Sequence, residues 1–297
     1  MKYKEFLNLA YHVPLCGEKP PCAMLVGHPG TGKSHLLLHY RGSNCMYLSD
    51  TTAAGIETVM EQFDKNPKFH YIVCPDIITV LTRRSKRFIS FLNIALEEGV
   101  KAVLRKDIVW KTRNGGAHIG LITAITTPEF KANYWLLQST GFLSRTFFLD
   151  FDPDTAESAR NIARGVKDQG VEITVPMDKL YDVGISEEAA LETENLGKAW
   201  AKSEGERPLR RTLLLRRFSR AQALVQHLEG KRDPLITTAE DVSHVWKLFS
   251  QIRFDPRSIG KTSGSTGELF GGGDRQVRRV NADYSKWTRK TDRSNAG

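Results

Sequence analysis

Cysteine is scarce in this 297-residue sequence: there are four, at Cys16, Cys22, Cys45 and Cys74, and their separations match no metal-ligand spacing. They read as reduced thiols, which argues against a disulfide scaffold or a structural metal site and favours a cytoplasmic setting. No apolar run approaches the ~20 residues that a membrane span requires, so no membrane partner is expected. The opening residues, MKYKEFLNLAYHVPL, lack the basic-then-apolar order of a secretory leader and alternate charge with hydrophobic side chains instead. No internal repeat is visible.

Acid is in deficit. Against 43 Lys and Arg there are 34 Asp and Glu, giving a net charge of +9 and a pI near 9.4. Such an excess favours a polyanionic partner, although charge alone speaks mainly to solubility and non-specific attraction. Ten of the basic and five of the acidic side chains fall between Arg253 and Gly297, so much of the excess lies late in the chain.

What is present is a β–α rhythm. Apolar runs at 22–27, 44–50, 70–76, 119–126 and 145–151 read as buried strands, with amphipathic stretches between them. The expected fold class is α/β, a parallel sheet with helices on both faces, followed by a small all-α region. Helical patterns at 154–168, 186–203, 207–229 and 237–253 place a boundary near residue 152. The expected division is 1–152 for the core, 153–256 for a helical domain and 257–297 for a Gly/Ser-rich, then basic, flexible tail. The "NGG" at 114–116 predicts a hairpin tip between two β-rich arms, the second running into the strand at 119–126.

The strongest signal is "GHPGTGKS", residues 27–34, which satisfies G-x-x-x-x-G-K-[ST] with a strand before it and a helix after it. Gly27, Pro29, Gly30, Thr31, Gly32, Lys33, Ser34 and His35 are the candidate contacts to ATP. Glycines let the backbone curl so that N–H groups face the phosphates, Lys33 reaches the β/γ oxygens, and Ser34 ligates Mg2+. An apolar strand ending in an acid should orient the metal, and "HYIVCPD" supplies Asp76. Ile77 then occupies the place where many such ATPases carry a water-activating glutamate. Slow hydrolysis is one consequence; a carboxylate from elsewhere, such as Asp50, Glu97 or Glu98, is the other.

With these elements in this order, residues 10–255 resemble the AAA+ superfamily, in particular the clade with a hairpin before the sensor-1 strand, which includes minichromosome-maintenance helicases. The resemblance implies a sensor-1 role for Thr127, with Thr126 as the alternative, in "LITAITTPEF". It implies an arginine finger at Arg145 in "STGFLSRTFFLDFD", inserted into a neighbour's nucleotide site. It implies a sensor-2 role for Arg211 in "PLRRTLLLRRFSRAQAL", with Arg210 beside it. A finger of that kind requires a homo-oligomer, a ring or helical filament.

The segment "VLRKDIVWKTRNGGAHIG" then matches the clade's hairpin, and Arg105, Lys106, Lys111 and Arg113, with Trp110 among them, are the candidate nucleic-acid contacts. The expected function is an ATPase acting on DNA, as a helicase, a helicase loader or a replication or transposition regulator, with a replication or recombination protein as a further partner. Few residues precede the P-loop, which favours the loader or regulator. The alternatives are a protein remodeller, disfavoured because "DTTAAGIETVMEQF" has no aromatic before its glycine, and a slow ATP switch.

Overall fold

The computed structural model describes residues 2–48, 59, 62–63, 65–66, 68–81, 85–100, 102–105, 108–111, 118–152, 170–176 and 179–258, with backbone alone at 79–80, 85–88, 102–105 and 108–111. Met1–Asp255 form one compact unit and Pro256–Gly297 a second, of which 256–258 are described.

The first unit opens with helix α1 (Lys2–His12), which buries Phe6, Leu7, Leu9, Ala10 and Tyr11. Strand β1 (Cys22–Gly27) is buried at every position, as a run of uninterrupted apolar residues covered on both faces must be. Helix α2 (Lys33–His39) leads to the short β2 (Tyr40–Gly42) and β3 (Cys45–Tyr47). β4 (Tyr71–Cys74) precedes the small helices α3 (Ile78–Leu81) and α4 (Ser85–Asn93), the latter continuing into a π-helical turn at Ile94–Glu98. Gly99, with φ 77°, closes that turn by donating to the carbonyl of Ile94 at 2.8 Å. β5 (Ala102–Arg105) and β6 (Ile108–Lys111) pair antiparallel. β7 (Gly120–Thr126) runs directly into α5 (Thr127–Ser139), and β8 (Thr146–Asp150) follows.

The expected α/β class is borne out. Five parallel strands form the central sheet in the order β3-β4-β7-β1-β8, so β1 lies between β7 and β8 and is separated from β4 by β7. β5 and β6 pair Arg105 with Ile108 and Ala102 with Lys111, and the "NGG" lies outside the described residues. Residues 120–126 form the expected core strand, buried between β1 and β4 in the parallel sheet. The pattern at 154–168 also lies outside the described residues.

Beyond the sheet, β9 (Val171–Ile173) pairs parallel with β2, an addition the helical patterning did not announce. β10 (Gly184–Ile185) precedes α6 (Glu187–Ser203) and α7 (Pro208–Leu228); β11 (Ile236–Thr237) pairs with β10 and leads into α8 (Ala239–Ile252). Thr238 and Asp241 form a capping box at the start of α8, as the Thr followed by Glu-Asp predicts. Aromatic packing ties these helices to the sheet. Phe147 of β8 lies 4.6 Å from Phe249 and 5.8 Å from Trp200 between ring centroids, and Phe6 of α1 stacks on Phe147 at 5.4 Å and Phe218 at 5.1 Å. Helix α1 is thus a staple between sheet and helices. Among the described residues no helix is long and apolar enough to cross a membrane, and no cluster of His, Cys, Asp and Glu could by itself hold a metal ion.

Candidate nucleotide site

Three strand ends converge at the carboxyl edge of the sheet. The register pairs Gly27, the last residue of β1, with Thr126, the last of β7, while Pro75 and Asp76 follow β4 on the other side of β7. A crevice outside the carboxyl ends of parallel strands is where such sheets take ligands. Here it is a cavity of about 200 Å³ lined by Gly30, Gly32, Lys33, Ser34, His35, Pro75, Asp76 and the segment Ala124–Thr126.

The loop after β1 is shaped by Gly30 and Gly32, at φ 76° and 85°, conformations that side-chain-bearing residues rarely adopt. Gly32 is the residue before α2, whose first residues, Lys33, Ser34 and His35, line the cavity. Lys33 is buried, and its ammonium curls back onto the loop, donating to the carbonyls of Gly27 at 3.0 Å and His28 at 2.6 Å and to Thr31 Oγ1 at 3.3 Å. Burial lowers the Lys33 pKa, opposed by the negative charges of Glu129 and, less strongly, Asp76. Ser34 Oγ donates to the carbonyl of Pro75 at 3.1 Å, which sets the hydroxyl beside Asp76.

That pairing suits magnesium. The ion takes few protein ligands and keeps water and phosphate oxygens, so one hydroxyl and one carboxylate at a shared cavity wall are an adequate donor set. Asp76 Oδ1 also accepts from the backbone N–H of Ile78 at 3.0 Å, which fixes the carboxylate at the strand end. Ile77 is 2% exposed, and its N–H bonds the carbonyl of Ala124 at 3.2 Å. The position after Asp76 therefore faces the core.

Of the two sensor-1 candidates, Thr126 lines the cavity, whereas Thr127 is the first residue of α5 and is not part of that wall. Thr126 also closes a capping box that the sequence reasoning missed. Its hydroxyl donates to Glu129 Oε2 at 2.7 Å and its N–H reaches the same oxygen at 3.2 Å. The signal was present as T-x-x-E in "TTPE".

The arginines lie elsewhere. Cys22 pairs with Thr146, so Arg145 stands level with the amino end of β1, and five residues of strand, roughly 16 Å at 3.3 Å each, separate that level from Gly27. Arg145 ion-pairs with Glu97 at 2.9 Å and donates to the carbonyl of Gly141 at 2.9 Å. Arg210 ion-pairs with Glu97 at 3.0 Å and donates to Ser144 Oγ at 2.7 Å. These groups share a second cavity of about 390 Å³, whose walls include Lys19, Glu98, Arg211 and Arg217. Arg211 is buried; it ion-pairs with Glu204 at 2.7 Å and Glu206 at 3.0 Å, and lies 5.0 Å from the centre of the Trp200 ring. Half-buried Glu18 anchors α7 through Arg220 at 2.6 Å, Arg216 at 3.0 Å and Arg217 at 3.7 Å. The structure therefore brings Lys33, Ser34, Asp76 and Thr126 together, and gathers Arg145, Arg210 and Arg211 around a different cavity.

Arg105 and Lys111 lie on the backbone of β5 and β6; Lys106, Arg113 and Asp50 lie outside the described residues.

No family model matches the chain, and no curated protein matches it. Among solved structures it is similar to a candidate ATPase from Cytophaga hutchinsonii at 13% identity and TM-score 0.42, covering 93% of this chain and 88% of that one. It is also similar to Hsp104 with ATPγS and FITC casein, at 15% identity and TM-score 0.34, covering 95% of this chain and 46% of that one. NtrX from Brucella abortus, in complex with ATP, gives 14% identity and TM-score 0.22 over 95% of this chain and 60% of that one. The chain thus spans less than half of the Hsp104 chain it matches. The class itself follows from the strand order and the loop: a parallel α/β sheet with a glycine-rich loop of G-x-x-x-x-G-K-[ST] pattern at the carboxyl end of an interior strand.

Proposed function

We propose that this chain is an AAA+-type ATPase that binds ATP with Mg2+, hydrolyses it as a homo-oligomer and acts on nucleic acid. The observation that carries the reading is the convergence of Lys33, Ser34, Asp76 and Thr126 on one cavity at the carboxyl edge of the sheet. In this reading the ammonium of Lys33 leaves its loop carbonyls for the phosphate oxygens, Ser34 and Asp76 would hold Mg2+, and Thr126 stands beside the γ-phosphate with its hydroxyl committed to Glu129. Mg2+ held there would offset the negative charge that develops on the phosphate oxygens.

Arg145 serves a neighbouring copy. Its position level with the amino end of β1 removes it from its own P-loop, which supports a ring or filament in which each triphosphate is shared. Arg211 is a structural residue of the helical region in this reading, committed to Glu204, Glu206 and Trp200. The nucleic-acid role rests on the basic hairpin and the net charge of +9, both readable from the sequence. The helices from 187 to 252 act as the lid, and the division at 152 and the tail from 257 belong to the same proposal. A cytoplasmic setting agrees with four free cysteines, of which Cys16, Cys22 and Cys45 are pushed up to about 12 by burial.

A second reading, a slow switch that assembles on ATP without motor work, is favoured by one observation: the buried Ile77 after Asp76. Rates of ATP hydrolysis with and without single- and double-stranded DNA, alongside particle images of the assembly with a non-hydrolysable analogue, separate the two. DNA-stimulated turnover supports the first reading, and assembly with turnover indifferent to DNA the second. A solitary chain under saturating Mg2+ and analogue overturns both.

A further inference from the structure

We infer that Glu129, on the first turn of α5, is the carboxylate that activates the attacking water in place of the residue after Asp76. The inference rests on the proposed hydrolysis and names a residue for it.

The position after Asp76 is closed to this task, because Ile77 is buried in the core. Two of the other carboxylates expected from the sequence face a different cavity: Glu97 is ion-paired with Arg145 and Arg210, and Glu98 lines the same wall. Glu129 is placed differently. Its carboxylate is bound to the hydroxyl and the N–H of Thr126, the residue that ends β7 directly beside Gly27 of β1 and lines the phosphate cavity. Both contacts use Oε2, so Oε1 is the oxygen that a water would meet. Glu129 also exerts a stronger pull on the buried Lys33 ammonium than Asp76 does, so its charge is felt at the loop. The strand ends beside the cavity are thereby flanked by two acids in separate roles: Asp76 beside Ser34 for the metal, and Glu129 behind Thr126 for the water.

The step balances with these groups. The water oxygen forms a bond to the γ-phosphorus while its proton passes to Glu129. The bond from phosphorus to the β–γ bridging oxygen breaks, and its electron pair leaves with ADP. The proton on Glu129 is then released to solvent. Thr126, by holding one carboxylate oxygen, is a positioning residue.

Glu129→Gln is the discriminating variant, since glutamine at this place in a capping box still accepts the backbone N–H and keeps the helix start intact. A merely structural Glu129 therefore predicts no change. We expect turnover of ATP to fall by about 100-fold or more, with ATP affinity within about twofold of the native chain and an unchanged melting temperature. Turnover within about threefold of native overturns the inference. If Glu129→Gln does not fold, Glu129→Asp decides: a retracted carboxylate at the native rate overturns it, and a tenfold or greater loss with native affinity supports it. A native chain that binds ATP but never hydrolyses it, whether assembled or with DNA, overturns the hydrolysis reading together with this one. An active native chain with an equally active glutamine variant overturns this one alone.

Discussion

Arg145 and Glu97 form an ion pair at 2.9 Å, and the same carboxylate takes Arg210 at 3.0 Å, so one acid on a π-helical turn holds two arginines from different parts of the chain. π-turns of this kind are rare and often mark functional positions. All three side chains are partly exposed, so the cluster is a modest contributor to stability and is free to rearrange. Glu97→Ala is expected to lower stability by about 1 kcal/mol or less, as exposed pairs do, measured by chemical denaturation.

If Arg145 acts across an interface, Arg145→Ala should bind ATP normally and hydrolyse it at least 10-fold more slowly, an effect in keeping with arginine fingers. Mixed with Lys33→Ala chains it should regain part of the rate, because each supplies what the other lacks. Titration of one variant into the other at fixed total protein checks this; a rate that never rises in any mixture removes the shared site.

Lys33→Ala should abolish ATP binding. The ammonium makes three hydrogen bonds to its own loop and is the one cation lining that cavity among the described residues. Equilibrium dialysis with ATP and Mg2+ is the measurement, and undiminished affinity removes the nucleotide reading.

Arg211→Ala should act on stability and not on the nucleotide. It leaves Glu204 and Glu206 without their principal partner in a buried setting and strips a cation from the face of Trp200. Breaking one side of such a buried pair costs about 3 kcal/mol, visible in urea unfolding. ATP affinity should stay within about twofold; a large loss of affinity at unchanged stability would favour the sensor-2 role instead.

His70 is held neutral by burial, with its pKa lowered to about 4 against an ordinary 6.5. Between those values the unfolded chain binds the proton and the folded chain does not, so this residue makes stability fall as pH drops from about 6.5 toward 4. His70→Gln should flatten the dependence of melting temperature on pH within that window and leave it unchanged above pH 7.

Lys111→Ala combined with Arg113→Ala should weaken DNA binding and reduce the slope of log affinity against log salt by up to about two phosphate contacts. Equal affinity and slope move the nucleic-acid contact elsewhere on the chain.

Much of the candidate nucleotide site was legible from the sequence because it is local. The loop Gly27–Ser34 is contiguous, its shape is dictated by glycine dihedrals, and its lysine and serine sit at fixed offsets from the helix start. Asp76 was readable for a similar reason: an apolar run that must be buried on both faces ends where the first acid can reach water. The strands of the central sheet and the helices from 187 to 252 followed from hydrophobic period, whereas the pairing of β2 with β9 did not, since three-residue strands carry too little pattern.

Composition and spacing thus determined the class of sheet, the loop and its lysine, since those depend on backbone geometry within a few residues. Only the tertiary structure decided which threonine lines the cavity at the loop, that Glu129 lies behind it, and that Arg145, Arg210 and Arg211 surround a cavity away from the loop. The reason is that strand order and register, set by burying β7 between β1 and β4, bring together side chains from positions about a hundred residues apart.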